Sequence, residues 1–178
     1  GALPLILDRW ISSVQQEVMA SSGLGVTDPG LAPLVEKRIS AVIGALNEMV
    51  HGFDFARLLT LYYKAHCAGD DETKAKVLKW FRGEYATKTE ARQELGVNIV
   101  ITDDDWYEYL KLFACFLKQA GYAGMLILID ELVNIYKIPN AITRQYNYEK
   151  ILTMYNDAMQ GKAQYLGFIL CGTPQCME

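Results

Sequence analysis

Residues 124–136 read GMLILIDELVNIY. Five apolar residues, Met125 to Ile129, run unbroken into Asp130 and Glu131, after which apolar residues resume. The run is too short for an independent helix and follows Gly124, so its reading is a buried strand. A carboxylate closing a buried segment is costly unless a cation or a proton compensates it. The stretch therefore raises two questions together: whether the chain builds a parallel sheet, and what the two acids serve.

A second apolar run, YLGFILC at 165–171, ends in Gly172, Thr173 and Pro174. Between the two, a helical turn is expected to about Tyr136 and Pro139 breaks the chain. Residues 141–160 then carry Ile142, Tyr146, Ile151, Leu152, Tyr155 and Met159 in a helical pattern that Gly161 closes. Strand, helix, strand is the unit of a parallel sheet. Two strands are few for a sheet covered on both faces, so either Val97 to Ile101 supplies another or the chain is a piece of something longer.

Upstream the pattern is helix after helix. Residues 4–22 open on Pro4 and carry Leu7, Trp10, Ile11, Val14 and Val18 at helical spacing before Gly23. A start at Asp28-Pro29 leads into a stripe from Leu31 to Val50, read as one helix up to Gly52. Asp54 can cap a third helix to about Ala68, and Asp70, Asp71 and Glu72 start a fourth with Val77, Leu78 and Phe81 inward. A short helix is expected around 89–94. Thr102 with Asp105 then resembles a capping box for a helix burying Trp106, Tyr109, Leu110, Phe113, Phe116 and Leu117.

The chain has 178 residues, 51% hydrophobic and 21% charged, the balance of one globular domain. A formal net charge of −4 without a basic block gives no bulk-charge basis for binding nucleic acid or an anionic membrane. No stretch approaches the apolar length of a membrane span, and no secretory signal is read at the start. Cys67, Cys115, Cys171 and Cys176 form no CxxC pair, so reduced thiols and a cytoplasmic setting are expected.

In open parallel sheets the functional crevice lies beyond the carboxyl ends of the strands. Asp130 and Glu131 stand at one such end and Gly172 and Thr173 at the other. An apolar run closing on Asp-Glu is the pattern called Walker B in P-loop ATPases, with Asp serving magnesium and Glu polarising the attacking water. Magnesium keeps several waters and phosphate oxygens, so one Asp is adequate for it. A neighbouring carboxylate can take the proton of a water poised near the γ-phosphate. Alternatively, the acids merely open the next helix, where the dipole favours them.

From Thr102 onward, GYAGMLILIDELVNIYKI, TRQYNYEKILTMYNDAMQG and YLGFILCGTPQCME together resemble a bacterial P-loop ATP-binding family of largely unassigned function. Its members are linked to BREX-type phage-defence systems and are distant relatives of AAA+ and origin-recognition ATPases. The resemblance implies an α/β fold, predominantly helical, in which a helical region at 1–101 packs against a small parallel sheet in 102–178, a partial AAA+-like P-loop core. It implies ATP and Mg²⁺ as the parent protein's ligands, Asp130 as the magnesium-associated acid, Glu131 as the catalytic glutamate and Thr173 as the sensor of the γ-phosphate. Arg144 and Asn147 would line the same face, without an assigned role.

The family's glycine-rich phosphate loop, GxxxxGK[ST], does not occur in these residues; GLG at 23–25 and GYAG at 121–124 lack the following Lys-Ser or Lys-Thr. Without that cradle, nucleotide binding by these residues alone is expected to be poor and hydrolysis undetectable. His51 and His66 read as helix-end histidines, and Asp103, Asp104 and Asp105 as first-turn acids rather than a metal cluster. Tyr146, Tyr148 and Tyr155 read as core edges rather than a base-stacking platform. The competing function is a non-catalytic helical module that binds a partner protein or self-associates.

Overall fold

The computed structural model describes residues 1–172. Six helices precede the sheet: α1 (Ala2–Ser22), α2 (Leu31–Gly44), α3 (Gly52–Ala68), α4 (Asp71–Phe81), α5 (Lys88–Leu95) and α6 (Trp106–Gln119). Then come β1 (Met125–Ile129), the single turn α7 (Val133–Tyr136), α8 (Ala141–Met159) and β2 (Leu166–Leu170). The strands pair parallel, Met125 opposite Leu166 through Ile129 opposite Leu170, so the strand, helix, strand unit is present in a predominantly helical α/β fold.

Among the described residues, side-chain caps start three helices, the third being α8, where Asn140 accepts the Thr143 amide at 3.0 Å. Asp70 accepts the Thr73 amide at 2.9 Å to start α4, and Thr87 accepts the Glu90 amide at 3.2 Å to start α5. The main core lies among α1 to α6. Trp10, Phe55, Tyr62, Trp80 and Phe116 are fully buried there, and Phe55 meets Phe113 edge-on with ring centres 5.1 Å apart.

The sixth helix is apolar on two sides, and this joins the helical core to the sheet. Tyr109, Leu112, Phe116 and Leu117 point into the main core, whereas Tyr107 and Ala114 join Met154, Ala163 and Leu166 under the strands. Lys111 reinforces the second contact, reaching Asp157 of α8 at 3.4 Å.

Four local expectations are corrected. First, α2 ends at Gly44, and the apolar stripe continues in turns where Leu46 is buried and Val50 is exposed. A Cβ at Gly52 would overlap the Leu46 carbonyl oxygen, so the chain folds back on itself there instead of extending the helix. Second, Val97 to Ile101 is not a strand; Val97 is buried and the Ile99 carbonyl accepts the Trp80 indole N–H at 2.8 Å, so this segment closes the core as coil. Third, His51 begins α3 with a left-handed φ of 58° rather than ending α2, stacked on Tyr109. Fourth, only the returning half of the expected box forms, the Asp105 carboxylate accepting from the Thr102 amide at 2.7 Å; the Thr102 hydroxyl donates to that carboxylate at 2.9 Å instead of capping an amide, and α6 starts at Trp106 with Asp105 at its cap.

The strands also depart from their buried reading. On one face Met125, Ile127 and Ile129 pack with Leu166 and Phe168 against α6 and α8. On the other, Leu126 and Leu128 are 58% and 66% exposed, because no described element lies over them. The described residues cover one face of the two-stranded sheet and leave the other open.

Candidate functional site at the end of the sheet

Past Ile129 the ladder continues for one irregular rung. Cys171 donates its amide to the Ile129 carbonyl at 2.8 Å, and its own carbonyl accepts from the Leu132 amide at 3.1 Å. A regular parallel ladder would take the second bond from residue 131, two residues on from Ile129. Here one extra residue is accommodated, as in a β-bulge, and Glu131 carries it with a left-handed φ of 55°. Asp130 and Glu131 are thereby pushed out of the ladder beside the end of β2.

Both acids are exposed, so the expectation of buried carboxylates needing compensation is corrected: water already solvates them. Asp130 Oδ1 accepts the Glu131 amide at 2.8 Å. Glu131 Oε2 accepts the Asn134 side-chain amide at 2.7 Å, and the Asn134 backbone amide donates to the Glu131 carbonyl at 2.8 Å. Among the described residues, no hydrogen bond or ion pair engages Asp130 Oδ2 or Glu131 Oε1, which leaves one oxygen of each carboxylate open.

Thr173 lies outside the described residues, two positions beyond Cys171. Arg144 and Asn147 turn to local tasks: Arg144 donates to the Ile138 carbonyl at 2.7 Å and Asn147 to the Thr143 carbonyl at 2.8 Å. Asp104 accepts the Tyr146 hydroxyl at 2.8 Å. No cluster of three or more His, Cys, Asp or Glu able to hold a metal occurs among the described residues. Asn134 escaped the sequence reading, although its place three residues after Glu131 on a helical turn is the spacing at which side chains meet.

Open grooves lie elsewhere. One of about 470 Å³ runs between α2 and α3 past Gly44, Phe53, Arg57 and Lys64. Another, of about 210 Å³, is walled by Met154, Met159, Phe168 and Leu170. Neither is lined by Asp130 or Glu131. No described helix is long and apolar enough to cross a membrane.

No curated protein and no solved structure matches the chain. The family model described as BREX system ATP-binding protein BrxC/D matches residues 1–178. That match spans the helical region as well as the sheet, and the chain belongs to this family of BREX system ATP-binding proteins.

Proposed function

We propose that these residues supply the Walker B strand and acids of a magnesium-dependent ATPase acting in BREX phage defence in the bacterial cytoplasm. The bulge at the end of β1 is the observation that supports this most: it sets two adjacent carboxylates, each with an open oxygen, beyond the carboxyl end of a parallel strand. The donor set suits Mg²⁺, which tolerates a single protein carboxylate when phosphates and waters complete its shell. Asp130 would hold the ion, which when bound neutralises charge on the phosphate oxygens. Glu131 accepts a proton from the attacking water as its oxygen bonds the γ-phosphorus and ADP departs. Thr173, three residues beyond β2 in the sequence, serves as the polar sensor.

The phosphate loop comes from outside the 178 residues, with 1–101 the mainly helical region and 102–178 the Walker B and sensor part of an AAA+-like core. The chain by itself then binds nucleotide poorly and does not turn it over. In the full-length protein, Glu131→Gln retains Mg-ATP binding and loses turnover, whereas Asp130→Ala weakens the magnesium dependence of binding. Absence of ATP binding with both acids intact would refute the reading. A second reading, a non-catalytic interaction module, is favoured by the uncovered apolar face at Leu126 and Leu128, and it predicts full-length protein indifferent to Glu131→Gln.

A further inference from the structure

Glu131 is held on three sides by groups of its own segment. Its amide is bound by Asp130 Oδ1, its carbonyl by the Asn134 amide, and its carboxylate by the Asn134 side chain. The left-handed φ of 55° is uncommon for a residue with a Cβ and persists only where surrounding bonds impose it. Leu132, bonded to the Cys171 carbonyl, fixes the far side of the bulge.

An exposed glutamate has three freely turning side-chain bonds, and a general base must present one oxygen within hydrogen-bond reach of its water. The Asn134 amide removes much of that freedom by taking Oε2. It leaves Oε1 free, and it donates only, so it does not compete for the proton.

We infer that Asn134 is the positioning residue for Glu131, a role that rests on the ATPase reading above. Asn134 touches neither nucleotide nor water. It acts by orienting the carboxylate that does, as outer partners of catalytic groups do, and such partners carry about 10- to 100-fold in activity.

The test uses the full-length protein with Mg-ATP. Asn134→Leu keeps the size and removes the donor; kcat should fall about 10- to 100-fold with KM unchanged. Asn134→Ser, which restores a short donor, should recover part of that loss. In a Glu131→Gln background, which binds Mg-ATP without turning it over, Asn134→Leu should leave the Kd for Mg-ATP unchanged, since the carboxylate it orients is gone. Thermal unfolding of each variant should match the wild type. On the 178-residue chain, Glu131→Gln should shift the side-chain amide NMR signal of Asn134, which reports the hydrogen bond without any turnover.

Wild-type kcat in Asn134→Leu would overturn the inference while leaving the ATPase reading intact, provided Glu131→Gln is inactive. A weaker Kd for Mg-ATP from Asn134→Leu in the Glu131→Gln background would also overturn it, marking Asn134 as structural. Full turnover in Glu131→Gln would overturn both proposals.

Discussion

Replacing Gly124 with alanine should loosen the sheet at its first rung. A Cβ on Gly124 would stand 2.5 Å from the Tyr165 carbonyl oxygen, and ordinary contact begins at 3.4 Å, so one of the two must retreat by about 0.9 Å. That same oxygen accepts the Met125 amide at 2.8 Å, the bond that opens the pairing of β1 with β2. A retreat of that size takes the bond beyond the normal range, losing about 1 kcal/mol. Forcing an L-residue to the φ of 155° costs about 1–3 kcal/mol more, giving about 2–4 kcal/mol in total. The measurement is urea unfolding followed by circular dichroism and fluorescence, with the slope of the transition unchanged. Gly121→Ala is the control: its φ is 90° but a Cβ there meets nothing within 4 Å, so it bears the conformational cost alone. Should Gly124→Ala prove no less stable than Gly121→Ala, the close approach of the strands at this rung is wrong, and the register that leads to Cys171 falls with it.

Two further expectations concern the helical core. Burial pushes the Asp8 carboxyl up, but hydrogen bonds from Tyr62 and Lys74 and the charges of Lys74 and His66 outweigh it and hold the group below the usual carboxylate value. Protonation is therefore harder in the folded protein; the stabilisation is complete above the unfolded value, near ~3.9, and is lost as pH falls through the lower folded value. Asp8→Asn should flatten the fall of the urea midpoint across that acidic window relative to the wild type, and parallel profiles would refute the network. Leu112→Ala, at a fully buried position, should cost about 2–5 kcal/mol, whereas Leu128→Ala on the uncovered strand face should stay within about 0.5 kcal/mol. Equal losses in urea unfolding would show that face to be covered.

Much of the helical architecture is legible because its signals are local. The stripe Leu7, Trp10, Ile11, Val14 and Val18, all buried in α1, follows from a 3.6-residue period within one segment. Asp70 capping α4 and Gly96 ending α5 in a left-handed conformation likewise depend on neighbours a few residues away. The stripe through Leu46 misled for the same reason: its apolar spacing was real, but the close approach of Gly52 to the Leu46 carbonyl turned the chain.

By itself, the sequence determined the two apolar runs, the helix between them and the adjacent acids that end the first. Tertiary structure decided how those acids are presented. The bulge depends on Cys171 bonding to Ile129 and Leu132, some forty positions earlier, and the Asn134 contact depends on the turn that the bulge creates. It also decided that Leu126 and Leu128 face outward, since alternation in a strand assigns residues to two faces but only packing selects which face is covered. Local periodicity is written in the order of residues; hydrogen-bond register between distant segments is settled only when the strands meet.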